Sequence, residues 1–444
     1  MCNFAWVKIY EKMIDTSKFR YLDVEKLRLF VLSHRRHILM GGASIVAFTI
    51  GWLLPSPLQN DVAGSEESAQ TQVDAQALTD VKMTMPDGSV YEGSVLAVSK
   101  QRQGYGRLTT KDGSVYEGNW TADHLSYGTR TTPSSVYCGQ FDEELRNSGF
   151  GIITYSDSYI KLKRSQGKPD NLITRTYIGN WHGNTKQGLG RAVKVDDSMD
   201  FGVYSNGVLE NVEGMDYRVG STVYGIDLSH YQRNIDWSNL ALYCDSKGNV
   251  YHHNAASRKY MQPVLFVYIK ATEGATVKDE LYATHSTEAE RHGIVKGAYH
   301  FLHLGTDINA QVRNFLETAN WNNGDLPPAL DVEVEAQAEK YGKQQVQKMT
   351  FEWLEAVEKR LGVRPIIYTR ERFRDKYLAD DPRFAKYKCW IARYNTDGPD
   401  NKDWKVWQFT ETGVMGGYDS RIDIDMYKDD YHSFLKYLDG LGRR

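Results

Sequence analysis

Asp331 and Glu333, one residue apart in the run Ala329–Val334, are the side chains of this chain whose types and spacing best suit a reaction. On a strand, residues two apart share a face, with Cα atoms roughly 6.5 Å apart. Two carboxylates that close in a dry site cannot both ionise easily, so one pKa rises and a proton donor forms beside a negative partner. Glycoside cleavage divides labour in this way: a protonated acid meets the leaving oxygen, and an ionised group stabilises an oxocarbenium-like transition state. Asp227 closes the apolar run Val223–Leu228 and Asp423 lies within Arg421–Met426. A lone Asp at a strand end more often caps a helix or solvates a loop. Four acids on three runs of one region weaken that reading.

The elements that must carry these acids follow from periodicity. Strand-like runs occur at Val223–Leu228, Val264–Ala271, Lys296–Leu302, Ala329–Val334, Pro365–Thr369, Cys389–Ala392, Val406–Phe409 and Arg421–Met426. Between Gln344 and Leu361, apolar residues recur at three- and four-residue steps (Val346, Met349, Trp353, Val357), which predicts an amphipathic helix. The gaps among the last three runs are short and rich in Gly or Asp. The order predicts a TIM-like (β/α)5β3 barrel over residues 221–444, with chemistry at the C-terminal ends of its strands.

Seven stretches of this region, in order, are YGIDLSHYQ (224–232), IKATEG (269–274), GAYHFL (297–302), LDVE (330–333), WIARY (390–394), VWQF (406–409) and RIDIDMY (421–427). Together they resemble glycoside hydrolase family 25, the Chalaropsis-type lysozymes. The resemblance implies N-acetylmuramidase action on the β-1,4 bond between N-acetylmuramic acid and N-acetylglucosamine of peptidoglycan, without cofactor or metal. It implies Glu333 as general acid/base and Asp331 as its partner, with Asp227 and Asp423 completing an acidic floor. By the same resemblance Asp331 orients the substrate's acetamido group as nucleophile, with direct attack by Asp331 as the rival route. Tyr299, Trp390, Tyr394 and Gln408 match cleft positions that contact sugars. Lys270 and Glu273 match as well, either as substrate contacts or as an ion pair bracing the barrel. Two departures bear on cleft shape: the segment 240–262 is long and polar, and Asp425 stands where Asn is common. A non-catalytic glycan-binding scaffold is the competing class, and the full set of acids favours turnover.

Upstream, DGSVYEG occurs twice, at 87–93 and 112–118, and the theme returns as SVYCGQF (135–141) and TYIGNW (176–181), each followed by a glycine cluster. An Asp-Gly turn, an alternating aromatic run and a Gly-x-Gly turn describe a β-hairpin, and hairpins of one kind bury their aromatic faces only against neighbours. These units resemble MORN repeats, which implies an all-β hairpin-repeat region over 81–220 that serves as a spacer or meets a protein or membrane-surface partner. The pattern degenerates around 155–171.

Residues 38–54 read ILMGGASIVAFTIGWLL without a charge, just long enough to cross a bilayer. Lys26, Arg28, Arg35 and Arg36 precede the run and acidic residues follow it, so a single-pass signal anchor is expected, with residues 1–37 cytoplasmic, 55–80 a flexible linker, and the rest periplasmic or extracellular. With 54 basic against 57 acidic side chains the chain offers no polycation for nucleic acid. Four cysteines, without a C-x-x-C pair, predict no structural metal.

Overall fold

The computed structural model describes residues 76–211, 221–400 and 402–441. Residues 38–54, expected to cross a membrane, lie outside them. Among the described residues no helix is long and apolar enough to cross a membrane.

The first region is an eleven-stranded antiparallel meander in which every strand pairs with the next in sequence. Its strands are β1 (Leu78–Thr84), β2 (Val90–Leu96), β3 (Arg102–Thr109), β4 (Val115–Trp120), β5 (Tyr127–Thr131), β6 (Ser135–Phe141), β7 (Asn147–Tyr155), β8 (Thr174–His182), β9 (Thr185–Lys194), β10 (Met199–Ser205) and β11 (Val208–Leu209). The register lines up one glycine per strand from β2 to β10, from Gly93 through Gly106, Gly118, Gly128, Gly139, Gly151, Gly179 and Gly190 to Gly202. The reason is steric. The rings of Tyr91, Tyr137 and Tyr177 lie flat over Gly106, Gly151 and Gly190, where a methyl group would collide with the phenol. Their hydroxyls donate to the carbonyls of Ser94, Gln140 and Asn180, while the Trp120 and Trp181 indoles donate to Gly106 and Gly151. Helix α1 (Asp157–Ser165), N-capped by Ser156, interrupts the meander where the sequence pattern degenerates. What the structure shows here is one large β-sheet; the MORN assignment rests on residues alone.

The second region contains β12 (Thr222–Leu228), β13 (Ala241–Cys244), β14 (Tyr260–Pro263), β15 (Phe266–Glu273), β16 (Val277–Lys278), α2 (Tyr282–Arg291), β17 (Val295–Phe301), α3 (Ile308–Thr318), β18 (Ala329–Asp331), α4 (Glu335–Tyr341), α5 (Lys343–Leu361), β19 (Ile366–Arg370), α6 (Glu371–Tyr377), β20 (Cys389–Ala392), β21 (Trp404–Gly416), β22 (Tyr418–Asp430) and α7 (Tyr431–Leu441). Strands β12, β15, β17, β18, β19, β20 and β21 pair in that order, all parallel. Strand β22 then runs antiparallel to both β21 and β12 and closes an eight-stranded barrel.

This corrects the TIM-like expectation. The sheet is mixed, its last strands are thirteen residues long and bulged, and the hairpin β13–β14 pairs onto β21. Beside β12 and β22 the outer cover is therefore β-structure. Leu240, Leu242, Cys244 and Val250 pack there with Tyr224, Phe409, Met415, Ile422 and Ile424. That hairpin is the long polar segment 240–262. Its ends are apolar enough to fill the place of a helix, and its tip is polar enough to face water.

The meander docks on the N-terminal ends of the barrel strands. Val193 and Met199 join a core with Val223, Leu265 and Phe266. Arg191, buried in this junction, donates to the carbonyls of Val264 and Gly293. Asn180 donates to the Ser238 carbonyl, and Phe150 packs on His292.

Candidate active site

At the opposite end of the barrel the sequence-predicted acids come together. Asp331 is the last residue of β18, and its backbone pairs with Phe301 on one side and Tyr368 on the other. Glu333 lies just beyond the strand, so the two acids are not both strand residues as expected. Asp227 sits one residue before the end of β12, directly across from Asp423 on the antiparallel β22. Asp423 therefore reaches the site by register and not by ending a parallel strand.

Burial differentiates the four. Asp227 and Asp331 are nearly inaccessible, whereas the Glu333 side chain keeps 20% of its exposure. Burial, with Glu333 as like-charged neighbour, pushes Asp331 well above the ordinary carboxyl range. Burial and then Asp423 do the same to Asp227, opposed by a hydrogen bond from Gln408. Asp423 is pushed up to about 6 by burial and by Glu411 and Glu333. Glu333 is also raised, by burial first and by Glu411, against the lowering effect of Arg370. The four carboxyls raise one another's proton affinity, so they titrate as a coupled group and not one by one.

Gln408 organises the floor. Its Nε2 donates to Asp227 Oδ2 at 2.7 Å, and its Oε1 accepts from the hydroxyls of Tyr368 and Tyr394, each at 2.9 Å. The primary amide of Gln supplies the donor and the acceptor from adjacent atoms. Tyr394 is 42% exposed and presents a ring to solvent, as a sugar contact requires. Trp390 is different: fully buried, it stacks on Tyr268, meets Tyr299 and Tyr368 edge-on, and donates its indole N–H to Asp425 Oδ1 at 2.7 Å. It supports the cleft from beneath, and Tyr299 is the half-buried ring above it. Lys270 and Glu273 pair at 2.6 Å, with His303 on the second Glu273 oxygen at 2.9 Å. The ion pair that either alternative allows is therefore present, with Glu273 the more exposed partner.

Sequence reasoning missed three contributors. Tyr368 and Arg370 stand on β19, at the end next to Asp331 and Glu333, and Glu411 lies on the bulged continuation of β21 past Gln408. A signal existed for the first two, since alternate residues of a strand neighbouring Asp331 point to the same site. For Glu411 there was none, because its approach to Glu333 and Asp423 depends on the bulges. Asp425, noted only as a departure, is wholly buried, with Oδ2 unpartnered. Burial raises its pKa well above normal, against the lowering effect of the hydrogen bond from Trp390.

The model of glycosyl hydrolases family 25 matches residues 226–418, which include Asp227, Asp331 and Glu333 and stop short of Asp423. Among relatives, an N,O-diacetylmuramidase of Arthroderma benhamiae is 33% identical over 221 residues, 47% of this chain and 84% of its own length. The protein YegX of Escherichia coli O6:H1 is 31% identical over 222 residues, 50% of this chain and 75% of its own. Lysozyme M1 of Streptomyces globisporus is 29% identical over 221 residues, 47% of this chain and 68% of its own. The chain belongs to glycosyl hydrolases family 25, and it is an enzyme, a glycoside hydrolase of the lysozyme class.

Proposed function

We propose that this enzyme is a muramidase that hydrolyses the β-1,4 bond between N-acetylmuramic acid and N-acetylglucosamine in peptidoglycan. The observation that carries the reading is the convergence of Asp227, Asp331, Glu333 and Asp423 at one barrel end, with the proton affinity of each raised by burial. Of the Asp331 and Glu333 pair, Glu333 is the one a leaving oxygen can reach. It gives its proton to the glycosidic oxygen as the C1–O bond breaks and recovers one from the water that adds to C1. Asp331, beside Glu333 at the end of β18, is the partner acid that orients the substrate's acetamido group while that group's oxygen attacks C1. Asp227 and Asp423 form the acidic floor beneath the forming oxocarbenium.

The test is digestion of purified sacculi by the fragment from residue 76 onward. Reducing muramic acid ends should appear and should be absent with Glu333→Gln. Ends released equally by that variant would reject the assignment of Glu333.

Membrane attachment through residues 38–54, with the barrel on the periplasmic or outer side, belongs to the same proposal, supported by the uncharged run and its basic N-terminal flank. Protease added to cells whose outer membrane, where present, has been permeabilised while the inner membrane stays sealed should then remove the barrel. A barrel digested only after lysis would reject that location. The meander is proposed as a rigid spacer that holds the barrel's catalytic end away from the attachment point, since it occupies the opposite end.

A further inference from the structure

Arg370 ends β19, and its Nε donates to Glu333 Oε2 at 3.2 Å. This contact uses one of the five guanidinium N–H groups. The others have no hydrogen-bond partner among the described residues, and the side chain is 63% exposed. A guanidinium built for two parallel hydrogen bonds to a carboxylate thus rests on its acid by a single point.

The charges around it make that half-made contact informative. Glu333 faces Arg370 from β19, Glu411 from β21, Asp423 from β22 and Asp331 from β18, with the phenols of Tyr368 and Tyr394 alongside. A cleft so acidic repels an anionic strand. The cations acting on Asp331 are Lys270 and Arg370, and Lys270 is already held by Glu273. Muramyl glycans are anionic. Peptide-stripped strands carry the free lactyl carboxylate of each muramic acid, and peptide-bearing strands carry the carboxylates of the stem.

Resting on the muramidase reading above, we propose that Arg370 binds a carboxylate borne by the glycan strand and, in turning to it, releases Glu333 to act as the acid. In the free enzyme the arginine opposes the rise in proton affinity that burial gives Glu333. Once the cation engages the strand, Glu333 keeps its proton to higher pH. The proton then passes to the glycosidic oxygen as before, and no new bond chemistry is needed. The acid becomes competent when a charged strand is in place, so neutral N-acetylated glycans of the same length are poor substrates.

The experiment compares kcat/KM on three preparations: peptide-stripped strands, peptide-bearing strands, and stripped strands whose lactyl carboxyls are converted to methylamides. The wild-type enzyme should favour a carboxylate-bearing preparation over the methylamide by about tenfold, the value of one charge-assisted hydrogen-bonded pair. Which of the two it favours identifies the source of the carboxylate. Arg370→Gln should bring the ratio close to one, and Arg370→Lys should restore part of it. The alkaline limb of the wild-type pH profile should lie higher on the favoured strand than on the methylamide, and that difference should vanish in Arg370→Gln. A preference that survives in Arg370→Gln, or equal cleavage of all three preparations by the wild type, overturns the role of Arg370 and leaves the muramidase reading standing. A wild type inert on all three overturns both. Thermal melting of each variant separates a lost preference from a lost fold.

Discussion

The two ends of the barrel bury ionisable groups of opposite sign. At the catalytic end, Asp227, Asp331 and Asp425 are buried with no cation bonded to them, and oxygens of Asp331 and Asp425 lack any partner. At the docked end, Arg191 is buried with no carboxylate bonded to it, yet two of its nitrogens are met by the carbonyls of Val264 and Gly293. Burying an ion costs several kcal/mol unless hydrogen bonds replace its water. The junction makes that replacement at two of the three guanidinium nitrogens, with Nε left unpartnered, and gains a seam. The catalytic end makes it only in part, with Gln408 on Asp227 and Trp390 on Asp425, and burial raises the proton affinity of all three acids. At the site the buried groups are acids with no cation bonded to them; at the joint the buried group is a cation met by backbone carbonyls.

The comparison breaks most readily at Glu333. Replacing it with Gln keeps shape and removes the proton, so turnover should fall by about 10²–10⁴-fold while the melting temperature holds or rises. Reducing-end release and a thermal melt measure the two quantities, and a matched loss of both would mean that Glu333 is structural.

In the meander the same size of insult should act on stability alone. Gly151→Val would drive a side chain into the Tyr137 phenol and cost about 1–3 kcal/mol. Denaturant unfolding would show it, with kcat of the surviving folded enzyme little changed.

Arg191→Met tests the joint. It orphans two carbonyls and should weaken docking by about 1–3 kcal/mol, seen as earlier proteolysis near residues 211–221 or as a separate first transition on heating. A single unshifted transition would show that the apolar contacts of Val193 and Met199 suffice.

The smallest effect is on stability against pH. Asp423 is raised from 3.8 to about 6, so the folded state holds its proton more tightly than the unfolded chain. Its stabilising contribution is complete below about pH 4 and is lost as pH rises through 6. The melting temperature should decline over that window, and Asp423→Asn should flatten the decline. A steeper slope in the variant would contradict the sign.

The sequence by itself determined whatever depends on local pattern. The repeated Tyr-x-Gly and Gly-x-Gly spacing specifies hairpins, because only glycine lets a tyrosine ring lie on the neighbouring strand. Cys389–Ala392 is observed as read, and the helix read from Gln344 begins one residue earlier, at Lys343. The acids Asp227, Asp331 and Glu333 were also legible, since each stands at the end of an apolar run. Tertiary structure decided the rest. Whether the segment 240–262 forms helix or hairpin depends on the unpaired edge that β21 offers, which no local pattern encodes. Asp423 faces Asp227 only because β22 closes the barrel antiparallel to β12. Glu411 and Arg370 reach Glu333 across strands far apart in sequence, and Trp390 lies beneath the cleft, not in it. Register and bulges, set by packing across the whole barrel, choose which charges meet, and those meetings set the proton affinities on which the chemistry depends.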